Sequence, residues 1–255
     1  MQATRILALT GLLQGLAWPA LAADEALPEA IRALEARGAK VTGQFAAPGG
    51  LKGYAAEYQG QGMAFYLTPD GQHALIGTLF DQRGQDLTAA PLEQLVYAPM
   101  ASRMWQQLES ARWLADGRAD APRTVYVFSD PNCPYCAHFW HQARPWVDSG
   151  KVQLRHLLVG ILREDSPGKA AAILASADPA RAWLAHEQHH PDAALKPVTP
   201  LPAGPARQLD DNLQLMETLG APATPAIFYQ DDQGRMQMQA GSPKPEQLEA
   251  ILGRR

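Results

Sequence analysis

Thr124-Val125-Tyr126-Val127-Phe128-Ser129-Asp130-Pro131-Asn132-Cys133-Pro134-Tyr135-Cys136 leads from an apolar run into two cysteines set two residues apart. The run Thr124 to Phe128, rich in β-branched and aromatic residues, predicts a strand. Ala137 to Val147 predicts a helix. These are the only 2 cysteines among 255 residues. Both therefore stand where a strand gives way to a helix.

A C-x-x-C at such a junction reads as a thioredoxin-like redox site. Two other meanings compete. A structural disulfide constrains the unfolded chain more when it closes a longer loop, so a two-residue spacer makes a poor staple. A zinc site would need His138 and His141 as further ligands. On one helix Cys136 and His138 point about 160° apart, and about 12 Å of rise separates Cys133 from His141. Four ligands do not converge from there, and no metal or other cofactor is expected.

The N-terminus reads as a signal peptide over residues 1–22. Arg5 supplies the positive region, Ile6 to Leu16 the apolar region, and Ala20-Leu21-Ala22 the small-x-small cleavage site. The apolar run is interrupted by Gln14 and Pro19 and falls short of the roughly 20 residues that span a bilayer. Export points to an oxidising compartment. The net charge of −4, with no basic cluster, leaves no footprint for nucleic-acid binding.

A thiolate, not a thiol, attacks disulfides. Cys133 would begin the helix, where unpaired N–H groups and the positive helix end depress its pKa. It is expected to be the exposed nucleophile. Pro134 suits the first helical position, and Tyr135 completes the intervening dipeptide. Cys136, one turn on and more buried, would be the resolving thiol, leaving Cys133–Cys136 as the redox-active disulfide. Thr224-Pro225, just before a strand, is expected to be a cis-proline loop opposite the cysteines that pairs with substrate backbone. His186, His189 and His190 read as a solvated face, Trp140 and Trp146 as core or groove wall, and Met236 and Met238 as packing.

Around this centre the chain divides into an α+β N-terminal dimerisation domain, a linker helix and a C-terminal α/β thioredoxin fold with a helical insertion. Residues 23–87 hold a short helix stopped at Gly38 and about four strands, with Asp70-Gly71 as a hairpin signal. About 60 residues make a marginal core, which pairing with a second copy would strengthen. Residues 88–118 read as the linker helix, with an interruption at Pro99. Residues 119–255 follow the order β, α, β, helical insert at about 165–219, β, β, α.

Several stretches resemble the DsbC/DsbG family of bacterial periplasmic thiol:disulfide interchange proteins, on the DsbG side. They are Phe128 to Cys136, Phe139-Trp140, Gln142 to Arg155, Ala170 to Ser176 and Thr224-Pro225-Ala226-Ile227. Pro134 stands where the isomerase branch carries glycine. The resemblance is dense over 119–255 and extends to the layout of the N-terminal half. It implies a V-shaped homodimer with two catalytic domains facing a shared cleft. It also implies cysteines kept reduced by the inner-membrane reductant DsbD. The activity would be reduction of mixed disulfides or of sulfenylated cysteines on folded periplasmic client proteins, with some isomerase or chaperone activity. A DsbA-like oxidase that donates a disulfide is the alternative reaction; that class normally lacks a dimerisation domain. A non-enzymatic holdase is the alternative without chemistry, and would make the cysteines dispensable.

Overall fold

The computed structural model describes residues 26–255. The expected signal peptide lies outside the described residues. The chain forms two compact units, one ending at Thr78 and one spanning Leu79–Arg255.

In the first unit, α1 (Glu29–Glu35) packs Ile31 and Leu34 onto a sheet of four antiparallel strands. These are β1 (Lys40–Ala46), β2 (Lys52–Tyr58), β3 (Gln61–Leu67) and β4 (Ala74–Ile76), in that spatial order. Tyr54, Ala56, Phe65 and Leu67 meet the helix, as alternation along a strand requires. Gln59 (φ 50) and Gly60 (φ 77) both adopt left-handed backbone and close the two-residue β2–β3 hairpin. On the other face the Phe45 ring lies flat over Gly53, where a Cβ would fall 2.4 Å from it.

The second unit opens with α2 (Ala89–Leu92), a π turn at Glu93–Tyr97, and α3 (Ala98–Ser110). The interruption expected at Pro99 takes the form of this π turn. Pro99 lacks an N–H, and the widened turn just before it accommodates the missing bond. The helix expected to reach 118 ends at Ser110. Leu114–Asp116 is a strand instead, β5, paired antiparallel with β7.

The five-stranded sheet of this unit has the order β5-β7-β6-β8-β9. Its strands are β6 (Arg123–Ser129), β7 (Val152–Leu158), β8 (Ala226–Gln230) and β9 (Met236–Ala240). Only β6 and β7 run parallel, joined through α4 (Pro134–Val147). Between β7 and β8 come α5 (Ser166–Leu174), α6 (Pro179–Gln188) and α7 (Ala203–Thr218), the expected insertion; α8 (Leu248–Leu252) closes the chain. The central strand β6 is buried on both faces. Val125 and Val127 meet Phe139, Trp146, Ile251 and Leu252 on one side. Tyr126 and Phe128 meet Leu108, Met216 and Phe228 on the other. Two covered faces fix β6 firmly, and the loop at its C-terminal end carries the cysteines.

Candidate active site

Cys133 is the N-cap of α4, with extended backbone at φ −88 and ψ 107. Its Sγ accepts the Cys136 N–H at 3.2 Å. Pro134 occupies the first turn, where no N–H partner is lost. Cys133 and Cys136 both stand as buried free cysteines. Across from them Thr224–Pro225 is a cis peptide bond. The Cys133 thiol donates to the Thr224 carbonyl at 3.5 Å, which places that loop directly against the sulfur.

The two thiols are pushed in opposite directions. Hydrogen bonding from the Cys136 thiol, offset by burial and joined by the Thr224 hydroxyl and the N–H groups of Cys136 and Tyr135, lowers the pKa of Cys133 to about 7. The Thr224 hydroxyl is buried and has no other partner, so it is free to turn towards a thiolate. Burial raises Cys136 well above an ordinary thiol, and the Cys133 charge adds to this. One sulfur is thus prepared to attack and the other to wait as a thiol.

Cys133 is not the exposed residue expected. It is 1% accessible, because the Thr224–Pro225 loop covers its sulfur. Tyr135, in contrast, is 63% accessible and stands out beside the pair. Trp140 and Trp146 are buried along α4. His186 does not belong to a solvated face. It is buried, and its Nε2 lies 2.7 Å from the carbonyl of Pro131, bracing the loop ahead of Cys133. Met236 packs partly against the core and Met238 stays exposed.

A buried polar clamp, for which the sequence offered no assigned roles, positions that same loop. Asp130 Oδ1 accepts from Asn132 N at 2.8 Å and from Ser166 Oγ at 2.9 Å. Its Oδ2 accepts from the N–H groups of Ile161 (2.7 Å) and Leu162 (3.0 Å). The Asn132 amide donates to Asp165 and Ser166, and its oxygen accepts from Lys169 Nζ at 2.7 Å. Four donors on one buried carboxylate hold the residues before Cys133 to a single conformation. Asp-Pro-Asn turn chemistry was the available signal, but the partners on α5 lie more than thirty residues away. Among the described residues no cluster of three or more His, Cys, Asp or Glu is placed to hold a metal ion.

Comparison with known proteins agrees with both units. A family of thioredoxin-like domains matches residues 114–255, and the disulfide bond isomerase protein N-terminal domain matches residues 19–89. The catalytic domain of Proteus mirabilis ScsC superposes with a TM-score of 0.51 at 23% identity, covering 61% of this chain and 96% of that one; at that identity it speaks to the fold. The thiol:disulfide interchange protein DsbG of Escherichia coli is 47% identical, covering 92% of this chain and 95% of its own. That of Pseudomonas aeruginosa is 60% identical, covering 98% of this chain and 96% of its own. A C-x-x-C on a thioredoxin-like scaffold, joined to that N-terminal domain and matched at such identity end to end, places the chain in the DsbG family of thiol:disulfide interchange proteins, which are thiol-disulfide oxidoreductases.

Proposed function

We propose that this oxidoreductase works in the periplasm with its cysteines reduced, as a homodimer, on mixed disulfides and sulfenylated cysteines of folded client proteins. Isomerisation of disulfides and chaperone-like holding are secondary activities of the same surface. The observation that carries this reading is the opposed preparation of the two thiols. Cys133 is lowered to about 7 while Cys136 is held protonated nearby. A site poised in this way presents a thiolate at neutral pH.

In the proposed cycle the Cys133 thiolate attacks a client disulfide sulfur. A Cys133–client bond forms, the client S–S bond breaks, and one client sulfur leaves as thiolate. With a sulfenic acid the same attack expels hydroxide, which is protonated to water. Cys136 then attacks Cys133, closing the Cys133–Cys136 disulfide and releasing the client thiol. Pro134 and Tyr135 shape the approach, and Thr224–Pro225 offers backbone to an incoming extended segment. An inner-membrane thiol reductant of the DsbD type would return the pair to dithiol. The family assignment supports the periplasm, as does the targeting pattern at residues 1–22. No helix of the described residues is long and apolar enough to cross a membrane.

Thiol trapping in cells tests the direction of the chemistry. Both cysteines are expected to be found reduced, and to become oxidised when the membrane reductant is deleted. Cysteines that are mostly oxidised in both backgrounds would instead identify a disulfide-donating oxidase. Cys136→Ala should accumulate client–Cys133 mixed disulfides. A Cys133→Ala protein with full cellular activity would leave only the holdase reading.

A further inference from the structure

The side chains of Ile161 and Leu162 have no part in the cycle above. Strand β7 runs parallel to β6 with Leu158 beside Ser129, and the Val159 N–H continues the ladder to the Ser129 carbonyl at 2.9 Å. The chain after β7 therefore lies alongside the chain after β6. Asp130 joins the two. Its Oδ2 accepts the N–H groups of Ile161 and Leu162, and its main-chain carbonyl accepts the Cys133 N–H at 3.0 Å. A single residue thus links the backbone under both aliphatic side chains to the backbone of the nucleophile.

The loop is fixed from behind as well. Gly160 meets the start of α5, where a Cβ would fall 2.6 Å from the Pro167 Cα. The Arg163 N–H donates to Ser166 Oγ at 3.0 Å, and the Ser166 N–H returns to the Arg163 carbonyl at 3.0 Å. Yet Ile161 is 40% and Leu162 47% accessible, while Leu158 and Val159 just before them are buried. A single exposed aliphatic residue is ordinary. Two in succession, on a braced loop beside a reactive sulfur, form a surface already ordered for contact. From Arg163 the surface opens into a cavity of about 580 Å³ walled by Pro167, Val198 and the exposed Leu201. Asp165, another wall of that cavity, accepts from the Asn132 amide at 2.9 Å, one residue before Cys133.

We propose that Ile161 and Leu162 form a ledge that receives the apolar side chains flanking a client's oxidised cysteine, and that the ledge selects clients for such residues. The inference rests on Cys133 as the nucleophile. A client joined to Cys133 through sulfur carries its next residues only about 3.3–3.6 Å of chain further per position. Those residues must fall on whatever borders Cys133. Backbone pairing at Thr224–Pro225 gives affinity without regard to sequence, so discrimination falls to side-chain contacts. Covering the exposed parts of two aliphatic side chains is worth about tenfold in binding.

Peptides with one cysteine held as a mixed disulfide with nitrothiobenzoate test this. Attack by the Cys133 thiolate on the peptide sulfur forms the Cys133–peptide bond, breaks the peptide's S–S bond and expels coloured nitrothiobenzoate, the better leaving group. Cysteine flanked by leucine on both sides is compared with cysteine flanked by serine. The reduced wild-type protein should saturate at about tenfold lower concentration of the leucine peptide, with similar rates at saturation. Ile161→Ser combined with Leu162→Ser should erase that difference by raising the leucine value. The Cys133 titration should not move, since serine keeps the N–H groups that Asp130 holds. A wild-type protein indifferent to the flanking residues, or a double variant that keeps the preference, would overturn the inference and leave the thiol chemistry standing. Cys133→Ser should abolish release from both peptides; persistent release would sink the nucleophile assignment and the ledge with it. Should the double variant not fold, Cys136→Ala can be joined to a peptide with benzoylphenylalanine beside its cysteine and irradiated. A tether to Ile161 or Leu162 is expected, and tethers confined to other residues would overturn the proposal.

Discussion

At Cys133 the decisive quantity is the free energy of one thiolate. A free cysteine near pKa ~8.5 is mostly protonated at neutral pH, whereas a group at about 7 is half ionised there. Ultraviolet thiolate absorbance of the reduced protein should therefore rise with a midpoint near 7. Cys133→Ala should remove that step, and Cys136 should contribute nothing until strongly alkaline pH. Thr224→Val, which deletes the hydroxyl donor, should move the midpoint upward; an unmoved midpoint would exclude the hydroxyl as a donor. The linkage has a definite sign. The depressed pKa stabilises the reduced fold above the unfolded-state value, and that contribution is lost as pH falls through about 7. Much of this site was legible in the sequence. Cys133, Pro134 and Cys136 are contiguous, so helix-end physics applies to them without tertiary information. The burial of Cys133 was not legible, because the loop that covers it lies 91 residues away. Nor was His186, paired with a carbonyl 55 residues off; its spacing to His189 and His190 suggested a surface.

Among the elements, β5 shows where local reading runs out. Leu114-Ala115-Asp116 follows a helix without a strong break, and nothing in three residues specifies an edge strand. Its identity comes from pairing with His156, Arg155 and Leu154 on β7. Gly117, at φ +107, then turns the chain where a Cβ would fall 2.7 Å from the Val152 carbonyl oxygen. The strand matters to the active-site helix because Asp116 is buried beneath it. Asp116 accepts from Arg144 Nη1 at 3.0 Å and lies 3.5 Å from His156 Nε2, tying β5, α4 and β7 together. Burial would raise the Asp116 pKa, but hydrogen bonds from His156 and Arg144 outweigh it and bring it down to about 2. Arg144→Ala leaves that carboxylate without its guanidinium and should cost about 3–5 kcal/mol in urea unfolding. Adding Asp116→Asn should recover part of the loss, because the stranded charge is then gone. Acid should act twice. His156, whose pKa burial lowers, favours the unfolded state as pH drops below its ordinary value of 6.5. Asp116 follows between 3.8 and about 2, where the unfolded chain binds the proton first. A denaturation midpoint that stays flat from pH 7 to pH 3 would contradict both assignments.

For the whole molecule, the two units differ in how well each could stand alone. The second has a sheet covered on both faces and a helical insertion with its own core around Trp183 and Ile173. The first relies on one short helix over four strands, with Ile31, Tyr54, Phe65 and Leu67 at its centre. The turn signals that made its strands legible said nothing about what its edges meet. Of the sheet's two edge strands, β1 and β4, the second is three residues long, with Leu75 54% and Ile76 53% accessible. An exposed apolar edge strand is a template for pairing, and proteins normally cover or charge it. The homodimer proposed above supplies a cover in the form of a second copy. Sedimentation at micromolar concentration should then give a dimer. Leu75→Lys combined with Ile76→Glu, which replaces exposed side chains and leaves the Ile31 core untouched, should shift the protein towards monomer. The Cys133 titration near pH 7 should persist in that variant, since its determinants all lie in the second unit. Activities that need two sites, disulfide isomerisation first among them, should fall while single-turnover reduction of a small disulfide holds. A wild-type protein that sediments as a monomer would defeat the dimer. A variant that stays dimeric would move the interface away from β4.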